Sequence, residues 1–247
     1  MDPLTSTAAG GLQARMDSLD MLANNLANTS TGGYKADREF YSTYVAPELA
    51  DSADPLNSVS PVVERPWIDF SQGILQPTGN STDLALSGPG FFSVNGPNGS
   101  PLYTRNGNFH VSPSGVLVTS DGYPVRLTNG LTLQVQSNDP LNINPDGEIS
   151  QNGSVLGQLE LVDFQNPSEL AKMGATYFRA ASPQAGAGPA GSVQVNQGKL
   201  EGSNAGGAQG SVRLVTLLRH FDMLQRAVKI GSEMNRQAIE QVARVGQ

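Results

Sequence analysis

The chain is helical at both ends and β-like between them, and this split constrains its fold more than any single motif. Leu12, Leu19 and Leu26 stand seven apart, and a second row runs Ala8, Arg15, Leu22, with Met16 and Ala23 beside it. Near the other end Leu214, Phe221, Val228 and Val242 form one seven-residue row, with Asn235 in its fourth place. Leu217, Leu224, Ala238 and Val245 form the next row, with Gly231 in its middle. Such rows are the stripes of helices that bury a narrow seam against another helix. Neither stretch has a helical neighbour in sequence. The two ends therefore pair with each other across the whole chain or with other copies.

The first helix is predicted over residues 3–28, about 39 Å long, with Asp2 as cap and Pro3 at the first helical position. It ends in the turn-forming run Asn28-Thr29-Ser30-Thr31-Gly32-Gly33. The last helix is predicted from Ser211 to Ala243. Residues 36–72 show no steady period and contain Pro47, Pro55, Pro61 and Pro66. They read as an extended linker with an edge strand near Val62–Ile68.

From residue 73 to 182 turn signals recur: Asn95-Gly96, Asn106-Gly107, Asp121-Gly122, Asn129-Gly130, Asp146-Gly147 and Asn152-Gly153 among them. Between them lie strand candidates at Phe91–Val94, Pro101–Thr104, Val116–Thr119, Tyr123–Leu127, Leu131–Gln136 and 155–164. Short strands separated by turns predict an antiparallel sandwich or barrel-like domain. Residues 183–210, with Ala185-Gly186-Ala187-Gly188-Pro189-Ala190-Gly191, read as a flexible return. The expected fold is α+β. Residues 1–35 and 205–247 form a discontinuous helical coiled-coil domain, 36–72 the linker, 73–182 a central all-β domain and 183–204 the return segment.

Composition narrows the function. Only 38% of residues are hydrophobic, while Gly numbers 28 and Pro 16, a balance that suits turns and strand edges. A net charge of −7 without a cluster of Lys and Arg argues against nucleic-acid binding and anionic membrane surfaces. No apolar run is long enough to insert in a membrane. Residues 1–22 lack a basic stretch and a continuous apolar core, and Asp17 and Asp20 interrupt them, so no cleaved secretory signal is expected. The absence of Cys excludes disulfides and thiolate metal sites.

His110 and His220 lack metal-ligand spacing, and the glycine-rich stretches Gly88-Pro89-Gly90 and Gly96-Pro97-Asn98-Gly99 are not followed by a Lys-Ser or Lys-Thr helix start. Asp121 and Asp146 each precede Gly in a turn, which explains them without chemistry. No catalytic, cofactor or metal residues are assigned, and the chain is expected not to be an enzyme.

Three segments occur together in order. The first is Ala23-Asn24-Asn25-Leu26-Ala27-Asn28-Thr29 followed by Thr31-Gly32-Gly33-Tyr34-Lys35. The second is Phe70-Ser71-Gln72-Gly73, Thr78-Gly79-Asn80, Asp83-Leu84-Ala85-Leu86, Gly90-Phe91-Phe92, Tyr103-Thr104-Arg105-Asn106-Gly107 and Gly115-Val116-Leu117-Val118. The third is Leu200-Glu201-Gly202-Ser203-Asn204, with Arg219 and Phe221-Asp222 beyond it. Together they resemble the signatures of the bacterial flagellar rod and hook family over nearly the whole chain. The opening Met1-Asp2, Leu4, Thr7-Ala8 and Gly11 is similar to the proximal-rod type, with the distal-rod type the close rival. Gly206, Gly207, Gly210 and Leu218 depart from the family pattern at the start of the last helix.

The resemblance implies a structural rod subunit of the basal body in the periplasm. Such a subunit polymerises into the drive shaft that transmits torque and encloses the export channel. It implies export through the flagellar type III apparatus without a cleaved signal, and partners that are copies of the chain and other rod proteins. The expected assembly interface is Leu12, Leu19, Leu22, Leu26, Asn24, Asn25, Asn28, Leu214, Leu217, Phe221, Leu224 and Val228. The rival classes are a secreted β-rich adhesin, poorly equipped for sugar stacking with Trp67 as its only Trp, and a peptidoglycan hydrolase.

Overall fold

The computed structural model describes residues 3–45, 59–135 and 139–245. The chain divides into two units. One comprises Met1–Ala27, Asp37–Trp67 and Gly206–Gln247; the other comprises Asn28–Ala36 and Ile68–Ala205.

The first unit holds helix α1, Pro3–Ala27, and helix α2, Gly207–Val245. They run antiparallel. A methyl group added at Gly11 would lie 4.0 Å from Leu224 Cδ1, and one at Gly210 would lie 3.9 Å from Leu22 and Leu26. α2 starts four residues before the predicted Ser211, with Gly210 N donating to Gly206 O at 2.8 Å. The glycines cost helix propensity, and a methyl group at Gly210 would make only ordinary contact with the two leucines it faces.

The expected coiled coil is not found. Among the described residues there are two α-helices, one near each end, and a predominantly β central region, and the seven-residue rows do not form a sustained seam there. α1 buries Ala14 and Ser18, four apart, while Leu12, Leu19, Leu22 and Leu26 stay half-buried. Among the residues of α2 whose side chains are described, only Leu217 is fully buried; Leu214, Phe221, Leu224 and Val228 are half-buried. The two fully buried positions of α1 are small residues, and Ser18 Oγ is satisfied by donating to Ala14 O at 2.9 Å. The row was misleading for a simple reason. A heptad and a 3.6-residue period differ by only about 20° per seven residues, so three leucines cannot distinguish them.

The same unit contains a ribbon of two paired strands, Asp37–Val45 and Val59–Ile68. The stretch read as linker is thus partly a sheet, while 46–58 lie outside the described residues. The second strand carries Pro61 and Pro66.

The described residues of the second unit are predominantly β, with short 3-10 turns at Pro97–Gly99, Pro167–Glu169 and Pro183–Ala185. Its largest sheet has six antiparallel strands in the order Leu170–Lys172, Tyr177–Ala180, Pro101–Thr104, Phe91–Asn95, Leu161–Phe164, Ala187–Pro189. A three-stranded sheet joins Ser154–Gln158, Glu148–Gln151 and Asn142–Ile143. Three ribbons complete it: Gln194–Gln197 with Leu84–Ser87, Lys199–Glu201 with Leu75–Pro77, and Phe109–Val111 with Leu117–Thr119. The central region is thus predominantly β and antiparallel, as expected, and is divided among several sheets.

Alternation along the large sheet separates two cores. Phe92, Val94, Leu102 and Tyr177 enter one cluster with Leu84, Leu86, Phe109 and Ile149. Phe91, Tyr103, Phe178 and Phe164 enter the other, with Phe70 packed against it. There Phe91 meets Phe70, Phe164 and Phe178 edge to face at 5.5–5.7 Å between centroids. The doublet Phe91-Phe92 therefore marks a strand buried on both faces.

Two strand expectations fail here. Tyr123–Leu127 and the described part of Leu131–Gln136, which ends at Val135, form only isolated bridges, among them Val94↔Val125 and Val116↔Gln134, and Gln136 lies outside the described residues. Pro124 removes a ladder donor, and Gly130 N closes a tight turn onto Leu127 O at 2.7 Å. Residues 155–164 split near Leu159 into strands of different sheets. The supposed flexible return at 183–204 carries three strands, at 187–189, 194–197 and 199–201. Its low complexity hid backbone pairing that needs no large side chains.

Candidate functional site: an ionic cluster at the chain crossings

The family-like segments meet in the β unit, beside the points where the chain leaves it. Gly33 begins the arrangement. Its φ is +68°, and a methyl group there would sit 2.2 Å from Asn106 N. Only glycine fits, because an L side chain would be strained and would strike backbone. Gly33 N donates to Glu201 O at 2.7 Å, which seats the segment after α1 against the strand Lys199–Glu201.

Lys35 follows and is completely buried. Its Nζ donates to Glu201 Oε1 at 2.7 Å and to Ser71 O at 2.7 Å. Glu201 Oε1 also accepts from Gly73 N at 2.8 Å. Gly73 is required there, since a methyl group would lie 2.0 Å from Gly202 O. Arg105 closes the cluster. Its Nη1 lies 3.4 Å from Glu201 Oε2 and its Nη2 donates to Gly88 O at 2.7 Å. The guanidinium carbon stands 5.3 Å from the Phe91 ring centroid.

Three charges are thus almost wholly removed from water. Burial pushes the Lys35 ammonium below its ordinary range, against the opposing pull of Glu201. Burial lowers Arg105 in the same way. One carboxylate serves two cations and a backbone amide, and a group so placed is strongly held in position.

Asn204 forms the second half of the clamp. Its Nδ2 donates to Asp69 O at 2.6 Å and Ser71 O at 3.0 Å, and its Oδ1 accepts from Ala36 N at 2.7 Å. Lys172 Nζ donates to Lys35 O at 2.7 Å and lies 4.6 Å from the Tyr34 ring centroid. Three stretches far apart in sequence, 33–36, 69–73 and 201–204, are fastened together. The chemistry available is positional. Each charge is engaged by its neighbours, and the cluster fixes where the chain enters and leaves this unit.

The interface residues expected from sequence lie elsewhere. Leu12, Leu19, Leu22 and Leu26 are on α1, and Leu214, Leu217, Phe221, Leu224 and Val228 are on α2. Asn24 is exposed on α1. The Asn25 amide is used within the chain: Nδ2 donates to Asp37 O at 2.8 Å and Oδ1 accepts from Asp37 N at 2.9 Å. Asn28 Oδ1 accepts from Thr31 Oγ1 at 3.1 Å, within the turn after α1. His110 and His220 are exposed on a strand and on α2. Among the described residues no group of His, Asp and Glu is placed to hold a metal ion.

Sequence reasoning did not select Lys35, Arg105, Glu201 and Asn204 as a site. The signal was present, since each lies in a segment quoted for the resemblance.

Comparison with known proteins agrees with those segments. The family model of the flagellar hook protein FlgE/F/G D1 domain matches residues 85–151, and that of the flagella basal body rod protein matches residues 6–35. The flagellar basal-body rod protein FlgF of Caulobacter vibrioides is 33% identical over 235 residues, covering 92% of each chain. The flagellar basal-body rod protein FlgG of Borreliella burgdorferi is 32% identical over 250 residues, covering 92% of this chain and 94% of its own. FlgG of Bacillus subtilis is 28% identical over 254 residues, covering 91% and 93%. With this agreement along almost the full length, the chain belongs to the flagellar basal-body rod protein family, the group of FlgF and FlgG.

Proposed function

We propose that this rod subunit polymerises with copies of itself and with other rod proteins into the drive shaft that transmits torque and surrounds the export channel. Its place as a structural subunit of the flagellar basal-body rod follows from its family. The adhesin and hydrolase readings gain no support from the relatives. We read the chain as a structural element without enzymatic activity, acting without a cofactor, nucleic acid or membrane insertion. It reaches the periplasmic part of the rod through the flagellar type III apparatus.

The observation that carries the mechanical part is the buried cluster of Lys35, Glu201 and Arg105 with the Asn204 clamp. A shaft subunit under load has to keep its chain crossings fixed, and charge-assisted bonds in a dry site do so in a defined geometry. Leu12, Leu19, Leu22, Leu26, Leu214, Phe221, Leu224 and Val228 are only half-buried within the chain, where Leu22, Leu26 and Leu224 already face the other helix, and we assign the apolar area they leave open to subunit contacts. Each such side chain contributes about 1.5–3 kcal/mol when fully covered.

Electron microscopy of basal bodies from a strain lacking the gene tests the reading. A rod that is shortened or missing, and restored by the full-length chain, supports it. An intact rod of normal length refutes it.

A further inference from the structure

The β unit has a pocket of about 460 Å³ that shares no lining residue with the ionic cluster. Polar groups without partners gather at it. Tyr103 lines the pocket and is 8% exposed, yet its hydroxyl makes no hydrogen bond among the described residues. Ser93 stands opposite Tyr103 across the sheet, is 1% exposed, and has no partner for its Oγ. Arg126 Nε and Glu160 Oε2 are buried 2.8 Å apart as an ion pair, but they are not aligned for a hydrogen bond. Backbone bonds hold these residues side by side: Ser93 N donates to Glu160 O at 3.1 Å, Arg126 N to Ser93 O at 2.9 Å and Glu160 N to Arg126 O at 3.0 Å. Dry polar groups cost free energy when unpaired, and their concentration at one pocket suits a site that binds.

Charge narrows the ligand. The lining acids are Asp146 and Glu160, and no lining residue is Lys, Arg or His. Arg126 offsets only one of the two carboxylates. Burial, and after it the Glu160 carboxylate, pushes the Tyr103 phenol above its ordinary pKa, so the hydroxyl stays neutral and its oxygen can accept. Acceptors with a net negative charge fit an ammonium or guanidinium group.

The rim adds a second kind of contact. Ala187–Pro189 lines the pocket and is the outermost strand of the six-stranded sheet. Gln165 N donates to Gly186 O at 3.3 Å and Ala190 N donates to Leu161 O at 3.0 Å. Even-numbered residues thus bond to the neighbouring strand, and antiparallel alternation turns the backbone groups of Ala187 and Pro189 outward. No described strand pairs with that edge. Pro189 has no N–H, so the edge presents the Ala187 N–H and the carbonyls of Ala187 and Pro189. Such an edge accepts a short added strand and resists a long one.

We propose that this pocket and strand edge bind an extended peptide segment that carries a Lys or Arg side chain. The segment pairs with Ala187–Pro189 as a seventh strand, and its cation enters the pocket toward Glu160, Asp146 and the Tyr103 hydroxyl. Backbone bonds give part of the affinity, and the buried cation selects the side chain. The site belongs to the single chain and goes beyond its place in the rod.

The purified full-length chain, labelled with nitrogen-15, is titrated with the blocked pentapeptide Thr-Val-Lys-Val-Thr and followed by amide chemical shifts. Shifts centred on Ala187, Gly188, Ala190 and Glu160 are expected, with a Kd below about 1 mM. Norleucine in place of Lys should weaken binding at least about tenfold, and N-methylation of the peptide backbone beside Lys about fivefold. Tyr103→Phe keeps the ring against Phe164 and should weaken binding about threefold. Glu160→Gln should weaken it about tenfold, and Asp146→Asn, which spares the Arg126 pair, about threefold.

Absence of shifts at Ala187–Ala190 at about 10 mM peptide overturns the proposal. Equal binding of the norleucine peptide overturns it as well, as does unchanged affinity in both acid variants. Butylamine binding as tightly as the peptide would mark a small-cation site and refute strand addition. Each of these failures leaves the rod assignment standing.

Discussion

Replacing Glu201 by Gln keeps the shape of the side chain and removes its charge. The amide oxygen can still accept from Gly73 N, so the change isolates the electrostatic part of the cluster. Glu201 faces Lys35 Nζ at 2.7 Å and Arg105 Nη1 at 3.4 Å, and the three side chains are 0–4% exposed. At an effective dielectric constant of 20, the gross attraction at these distances is about 6 and about 5 kcal/mol. Repulsion between the two cations and the cost of drying all three groups cancel much of that. Removing one partner of a buried ion pair destabilises by about 3–5 kcal/mol, and here two cations are left without an anion. We expect Glu201→Gln to cost about 4 kcal/mol. Lys35→Met should cost less, about 2 kcal/mol, because Arg105 still neutralises Glu201. The double variant should fall short of the sum by more than about 1 kcal/mol. Urea unfolding of the purified chain, followed by near-ultraviolet circular dichroism of the tyrosines in the β unit, measures all four states of the cycle. A Glu201→Gln penalty under about 1 kcal/mol, or strictly additive single changes, refutes the reasoning.

Gly33→Ala should destabilise the β unit by more than about 2 kcal/mol in the same assay, since it combines a positive φ with a backbone clash. Tyr177 gives a pH signature. Its hydroxyl donates to Asp121 Oδ2 at 2.7 Å, and burial followed by that bond raises its pKa. The folded chain therefore keeps a phenolic proton that the unfolded chain loses above about pH 10, so the contribution of Tyr177 is complete below that pH and declines above it by about 1.4 kcal/mol per pH unit. Tyr177→Phe should cost about 1.5–3 kcal/mol at neutral pH, and the gap to the parent should close as pH rises past 10 in paired urea titrations. Leu217→Ala should lower helical stability by about 2–5 kcal/mol in thermal melts read by far-ultraviolet dichroism; a loss confined to a few tenths would place Leu217 outside the packed seam.

Much of the secondary structure was legible because local chemistry decides it. α1 ends within one residue of its predicted end, where Asn28 to Gly33 offer turns and no helix formers. Strands at Phe91 and Pro101 were readable from apolar runs bounded by Asn-Gly turns. What local chemistry leaves open was misread. Seven-residue spacing on α1 fits a coiled coil and an ordinary helix equally, and only the burial of Ala14 and Ser18 decides between them. Strands such as Ala187–Pro189 have almost no side-chain signature and exist because Val162–Phe164 offers them a backbone edge. The Lys35–Glu201 pair joins residues 166 positions apart, beyond the reach of any pattern along the chain. Its residues were visible only as recurring fragments, with no clue that they meet.

The late ribbons also set a timetable for folding. Leu75–Pro77 and Leu84–Ser87 find their partners only in Lys199–Glu201 and Gln194–Gln197. A growing or emerging polypeptide cannot complete those pairings until four-fifths of its length is free. Contacts of such high order close slowly, because loop entropy must be lost before any bond forms. Until then the early strands Leu75–Pro77 and Leu84–Ser87 lack the partners that complete their ribbons.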